Sequence, residues 1–562
     1  MVSKVFLLNL NKYIILFFAV VFLFYKSENL IAAKNSYSKS YYGSILSGQI
    51  ANYNNDTNLS ADFFNYANNI NPENLQIYNL ALMSLVMSGK IEKAIEKVKY
   101  YEKNFGSQYI NTVIANFIIF INKIKNNQID QALSHIVEKK EFLITEKMKP
   151  IIKAWLASNL ADATNYINEY EYKSEGLTLS NIYFHNLALI QNYHNKKSLA
   201  QATFEKHLNN FNLEKLRTLF LYESFLGNEE NKLNNKYLVL FLKEYSDHGF
   251  SLYLREKKRL PYIIKSSSQG ISETIYNLAQ TLYSQGMFET SLALSQTSLF
   301  LDPKNHVVKY LISQNLNSLE KKKLALSYLK KIPDMSYLSW NALMSTAELY
   351  ADLKEYILAE NYLSKLQKKY QNRLEVFYKL GEVNHIQKNY ENAIRYFSTA
   401  ISKINETDEK YWYLFYSRGM SYERSSKWEF AEKDFLKALK LSPDQPLTLN
   451  YLGYSWIDLG KNIDEAHKLI QKAVKLRPND GYFVDSLGWA YYRMGQYKKA
   501  VSELEKAVSL VPNDPIINDH LGDAMWRAGY KYEAIYQWKR ALIYKPDDEL
   551  ENKIKFKLKK GL

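Results

Sequence analysis

Apolar residues along this chain recur three and four positions apart, the spacing of a helix with one buried face. Two stretches show it most clearly. One reads Leu487-Gly488, Tyr491, Gly495, Ala500, Leu504, Ala507, Pro512; the other reads Leu521-Gly522, Met525, Gly529, Ala534, Trp538, Ala541, Pro546. Matching positions lie 34 residues apart. Two helices of about 14 residues and a short turn fill that length. No segment alternates apolar and polar residues for long enough to form a sheet domain. The pattern predicts a chain of helix pairs.

The repeat can be followed backwards. Its first small position runs Ala279, Ser313, Ala347, Gly381, Gly419, Gly453, Gly488, Gly522, at intervals of 34, 34, 34, 38, 34, 35 and 34. Its second runs Ser291, Ala325, Ala359, Ala393, Ala431, Ala466, Ala500, Ala534. The longer intervals fall at Asn405–Asp408 and Lys461–Asp464, which read as turns, where a structural repeat tolerates insertions. Small side chains at two fixed positions let the paired backbones approach closely. Gly460, Gly495 and Gly529 sit where a left-handed cap ends the first helix. Pro443, Pro478, Pro512 and Pro546 stop the second helix.

These residues resemble the tetratricopeptide repeat: a large apolar residue, Leu-Gly, Tyr, then Ala, a bulky residue, Ala and Pro. The resemblance implies an all-α fold, a right-handed superhelical solenoid of antiparallel helix pairs, and function by binding rather than catalysis. It is clear in eight units over residues 271–546. It weakens near 306–373, where Ile332 and Leu366 replace a small residue and Tyr337 and Gln371 replace the proline. Residues 34–245 read as divergent repeats. Gly48, Ala51, Ser60, Phe64, Ala67 and Pro72 make one; Leu82, Leu85, Gly89 and Ala94 another; Ala188, Ala200 and Phe204 a third. No register is assigned between 106 and 245. Residues 246–270 break the pattern with Gly249, the basic cluster Arg255–Arg259, Pro261 and Ser266-Ser267-Ser268, and read as a hinge or long loop between two arrays. In residues 547–562, Leu550, Ile554 and Leu558 lie four apart among lysines, the layout of a capping helix.

The start of the chain changes the expected setting. Lys4 and Lys12 precede the apolar run Tyr13–Phe24, and Ile31-Ala32-Ala33 follows. This is the layout of a secretory signal peptide over residues 1–33. The run is short for a membrane span, so an uncleaved anchor over 13–24 is the second reading. Either way the repeats are expected outside the cytoplasm, in a bacterial periplasm. The layout is similar to exported tetratricopeptide proteins of alphaproteobacteria.

Composition adds little. The net charge of +15 fits a lysine-rich solvated surface with weak attraction to anionic envelope polymers, and no motif points to nucleic acid. The 47 tyrosines follow in part from A/T-rich codons. With no Cys, disulfides, thiolate metal sites and a cysteine nucleophile are excluded. No phosphate-binding loop, dinucleotide fingerprint, zinc-protease or serine-hydrolase motif occurs. The nine His are scattered, so no metal or cofactor is expected and no catalytic residue is assigned.

One candidate site remains. In this repeat type the first helices line the concave face. Counting from the Leu-Gly pair places Tyr451, Tyr454, Tyr482, Asp485, Trp489, Tyr492, Asp519 and Asp523 there. Asp519 and Asp523 share a helix face, with Asp485 expected on the neighbouring helix. The result is an aromatic, partly acidic trough for a partner segment with a basic side chain. The competing reading is structural: Arg493 and Arg527 neutralise the acids and the rings pack between units. A clamp for a C-terminal carboxylate is not expected, because its positions hold Ser417, Tyr451, Ser486 and His520. The expected function is a non-enzymatic protein–protein scaffold of the cell envelope. A glycan-binding accessory subunit of polysaccharide or peptidoglycan machinery is the alternative.

Overall fold

The computed structural model describes residues 40–54, 56–139, 143–144, 148–171, 177–207, 264–334, 336, 338–371 and 373–562. Among them are 27 α-helices and no strand. The leader over 1–33 and residues 246–263 of the expected hinge lie outside the described residues. The chain divides into two compact units, Met1–Thr346 and Ala347–Leu562.

The first unit opens with five helix pairs: α1 (Tyr41–Tyr53) with α2 (Thr57–Ile70), α3 (Leu75–Met87) with α4 (Ile91–Phe105), α5 (Val113–Lys125) with α6 (Ile129–Glu138), α7 (Lys149–Leu156) with α8 (Leu160–Glu171), and α9 (Leu177–Tyr193) with α10 (Lys197–His207). Then come α11 (Ser267–Ser284), α12 (Phe288–Leu301), α13 (His306–Ser318) and α14 (Lys322–Leu329). Gly89, Asn127, Asn195 and Gly286 all hold left-handed backbone after a first helix, and this supplies the register that side chains leave faint. Two of the small positions are filled by Leu82 and Phe120, both fully buried, so the small-residue signal vanishes there while the hairpin survives.

The α11–α12 hairpin is the unusual part. It turns back onto the first helices of the preceding pairs: α12 packs on α3 and α5, and α11 on α5, α7 and α9. Both helices are therefore buried nearly all round, including Ser272, Glu273 and Thr274 on one and every residue from Ser291 to Ser298 on the other. Such helices cannot carry a charged solvent face. Residues 290–301 contain no charge at all. Some of the buried polar groups are paired locally, while Ser295 Oγ and Asn277 Nδ2 have no hydrogen-bond partner. Thr274 Oγ1 (2.7 Å) and Trp155 Nε1 (3.0 Å) both donate to Asn186 Oδ1, and Lys125 Nζ donates to the Phe300 carbonyl at 2.6 Å. Buried His185 lies 3.5 Å from Glu273. Gly270 is required here, because a Cβ would stand 2.2 Å from the Trp155 ring.

Two expectations change accordingly. The Ser266 hydroxyl accepts from the Gln269 backbone N–H, so the serine run that reads as loop is the cap and first turn of a helix. Residues 267–270 thus belong to α11 and not to the hinge. The units do not part at 246–270 either, since the hairpin beyond that break belongs with the first five pairs.

The second unit is the regular one. After α15 (Ser339–Asp352), whose last residues open it, come α16 (Tyr356–Lys369), α17 (Leu374–Ile386), α18 (Tyr390–Ile401), α19 (Trp412–Arg424), α20 (Trp428–Leu441), α21 (Pro446–Asp458), α22 (Ile463–Leu476), α23 (Gly481–Arg493), α24 (Tyr497–Leu510), α25 (Pro515–Arg527), α26 (Lys531–Ile543) and α27 (Asp548–Lys560). The small positions mark the helix crossings. A Cβ on Gly381, Gly419, Gly488 or Gly522 would stand 2.5–2.8 Å from Phe397, Phe435, Leu504 or Trp538, each on the second helix of the same pair. Gly453 meets Ile470 at 2.7 Å in the same way. Gly460, Gly495 and Gly529 all have positive φ, as the cap role requires. Lys354, Lys388 and Ser426 hold that conformation at the same position without glycine.

Candidate binding groove

The odd-numbered helices of the second unit place the predicted trough residues on α21, α23 and α25. Asp485 is buried and accepts from His520 Nδ1 at 3.0 and 3.1 Å. Burial opposes the imidazolium, but the attraction of Asp485, Asp519 and Asp523 prevails and raises the His520 pKa. Asp519 and Asp523 are buried as well. A single ammonium, Lys557 on α27, binds both carboxylates, at 2.8–2.9 Å to Asp519 and 2.7 Å to Asp523. Trp538 Nε1 adds a bond to Asp523 at 2.9 Å. Burial and the neighbouring Asp519 still push the Asp523 carboxyl up from its ordinary value.

The acids are thus neutralised inside the chain, by partners other than those the structural reading named. Arg493 turns to the Asp458 carbonyl at 3.2 Å, and Arg527 bonds to Tyr492. With α27 lying over it, α25 is buried continuously from Ile517 to Met525. No free acidic pocket remains for a partner's lysine. The pairing was half visible in sequence: Lys557 stands three residues after Ile554, the fully buried anchor of α27, and so shares its face.

The aromatic members divide. Trp489 stacks on Tyr492 (ring centroids 4.7 Å apart, planes 11°) and on His520 (4.2 Å, 17°), so its ring is already engaged within the chain. Tyr482 does not join the groove. It is 57% exposed and borders the inter-repeat turn with Arg477, Pro478 and Asp480. Tyr451 and Tyr454 remain half-buried on α21. Tyr451 donates to Glu423 Oε2 at 3.1 Å and meets Tyr416 edge-on at 5.9 Å.

This second contact extends the groove to residues that the sequence reading passed over. Tyr413 and Tyr416 lie three apart on α19, and Tyr413 meets Tyr378 of α17 edge-on at 4.9 Å. The row thus runs from α17 through α21. Its signal was an aromatic residue at groove positions in three consecutive first helices. Among the described residues no cluster of His, Asp or Glu could hold a metal, and no helix is long and apolar enough to cross a membrane.

Helix pairs with small residues at the crossings and left-handed caps define a helical repeat protein. The sequence model of the family described as tetratricopeptide repeat matches residues 364–545. That match covers most of the second unit, whose repeats it identifies as tetratricopeptide repeats. A curated TPR repeat-containing protein of Pseudomonas aeruginosa is 39% identical over 87 residues, 16% of this chain and 15% of that protein. Among solved structures, the Cut9–Hcn1 hetero-tetramer of APC/C is 15% identical, covering 93% of this chain and 96% of that one at a TM-score of 0.38. Yeast Tom70 is 16% identical, covering 92% and 94% at 0.34.

Proposed function

We propose that this chain is an exported, non-catalytic scaffold of the bacterial envelope whose second unit holds a segment of a protein partner. Tetratricopeptide repeats serve as protein–protein interaction scaffolds, which supports the coarser part of this reading. The observation that carries the choice of surface is a contrast. In the first unit, the faces of α3, α5, α7 and α9 are filled by the chain's own hairpin. In the second, the tyrosines on α17, α19 and α21 pack against their own unit's core yet each stays partly accessible.

The mechanism is groove binding without bond chemistry. The rings supply area at low cost in side-chain entropy, and the stacked helices hold them rigid. Export rests on the basic start, the apolar run Tyr13–Phe24 and the small residues before Lys34.

A photo-crosslinking residue placed at Tyr454 tests the groove. Crosslinks to an envelope protein are expected from position 454 and not from Tyr482, and equal labelling from both would remove the groove from the account. N-terminal sequencing of the mature protein tests export. An intact Met1 on cytoplasmic protein would refute it.

A further inference from the structure

The outward face of the last helix pair departs from its neighbours. On α24 four solvent-facing positions hold Lys498, Ser502, Glu505 and Ser509, all exposed and all polar. On α22 the same positions hold Asp464, Lys468, Gln471 and Lys475, again exposed and polar. On α26 they hold Tyr532, Tyr536, Lys539 and Ile543. Tyr532 is 89% exposed, Tyr536 64% and Ile543 72%. The interior of the repeat does not use these side chains, because Ala534, Trp538 and Ala541 supply the buried face of α26. A row of two rings and an isoleucine held out in water marks a surface that something covers.

The spacing says what kind of surface covers it. The four residues are separated by four, three and four positions, the seam of a coiled coil. That order reads the same from either end. Two copies of α26 laid antiparallel about a two-fold axis therefore set Tyr532 on the partner's Ile543 and Tyr536 on the partner's Lys539, each contact occurring twice. Lys539 forms no ion pair in its own protomer, and its ammonium can lie over the partner's Tyr536 ring.

The charges beside the seam agree with that direction. Glu533 and Arg540 flank it on one side, seven residues and about 10 Å apart, too far to pair along one helix. Glu533 forms no ion pair among the described residues. Arg540 reaches only the Pro512 carbonyl at 3.3 Å and the Tyr544 hydroxyl at 3.4 Å. In the antiparallel arrangement Glu533 faces the partner's Arg540, whereas a parallel one would set Arg540 against the partner's Ile535. Such rim pairs fix orientation more than they add affinity.

We infer that this face is covered by a second copy of the chain, α26 pairing with its two-fold mate as a short antiparallel coiled coil. The surface is separate from the groove and does not rest on the scaffold reading above. With 13 residues, α26 is about 20 Å long. The contact therefore lies at the small end of specific interfaces, about 1,200 Å² in total, and a reversible dimer of micromolar affinity is expected.

Sedimentation equilibrium of the full chain through the micromolar range should show a monomer–dimer equilibrium. Tyr532→Ser with Tyr536→Ser should leave only monomer. Both rings are largely exposed, so the helicity and denaturation midpoint of dilute protein should match the parent. Glu533→Arg should weaken the dimer about fivefold, and adding Arg540→Glu to it should restore the pairing. The chain has no Cys, so single cysteines report the register. Tyr532→Cys mixed with Ile543→Cys should form a disulfide between the two variants under oxidation. Neither should crosslink to itself, because like residues stand at opposite ends of the pair, about 16 Å apart. A parent that stays monomeric throughout, a double-serine variant as dimeric as the parent, no rescue by the charge exchange, or self-crosslinking as fast as the mixed reaction overturns the inference. So does a monomeric parent that sediments with phosphatidylglycerol vesicles when the double-serine variant does not, a result that assigns the face to a membrane surface.

Discussion

The two units use one kind of helix pair to opposite ends. In the first, the surface that lines a groove is consumed by a hairpin of the same chain, and Trp155, Asn186, Thr274 and Gly270 lock it in place. In the second, the corresponding surface stays partly exposed through α21 and is closed toward its end, where His520 pairs with Asp485 and α27 inserts Lys557 between two aspartates. The comparison teaches that exposure of a concave face depends on what the rest of the chain lays across it. A helix that fills a groove gives up most of its charges, and α12 carries only Glu289, in its first turn. A helix that caps an end needs one apolar row and one well-aimed cation, and α27 has these.

The closed end of the second unit gives the largest expected effect. Lys557→Met leaves Asp519 and Asp523 buried without their cation and should cost about 3–5 kcal/mol at neutral pH. Part of that loss should be recovered as the pH falls and the carboxyls protonate. Chemical denaturation at two pH values measures both, and a loss independent of pH would mean that the pair is not charged in the fold.

A matched pair of substitutions compares the two interiors directly. Gly270→Ala drives a methyl into Trp155, and Gly488→Ala drives one against Leu504 at 2.5 Å. Each should cost about 1–3 kcal/mol by overpacking. They should differ in where hydrogen exchange quickens: across residues 267–301 and α7 for the first, within α23 and α24 for the second. Uniform exchange in both variants would contradict the separate interiors.

His520 gives a smaller, pH-dependent effect. Its pKa is raised in the fold. The stability it contributes is present in full below its ordinary value of about 6.5 and disappears as the pH rises through the raised folded value. Thermal melts of the parent should fall over that window, and those of His520→Asn should fall less. An identical slope in both would show that the Asp485–His520 pair carries no charge. Tyr482→Ala, outside the groove, should change stability by no more than about 0.5 kcal/mol and leave partner capture intact.

What was legible in the sequence follows from which contacts are local. The helix crossings at Gly381, Gly419, Gly453, Gly488 and Gly522 join residues about sixteen apart, so a fixed spacing of small and bulky residues reveals them. The left-handed caps are local too. At Asn127 and Asn195 the cap is held by asparagine, which also tolerates that backbone, so a glycine pattern does not reveal it. The groove was read only in part. Tyr451 and Tyr454 stay half-buried on α21, Tyr482 borders the inter-repeat turn, and the acids are occupied.

The sequence by itself determined the period, the all-helical class and the small residues at each crossing, because each depends on neighbours within one repeat. Only the tertiary structure decided which concave face stays open. That outcome rests on pairings such as Lys125 with Phe300 and Lys557 with Asp523, which join different repeats. No spacing rule within a repeat encodes them, since a buried charge takes whichever partner the fold carries within reach.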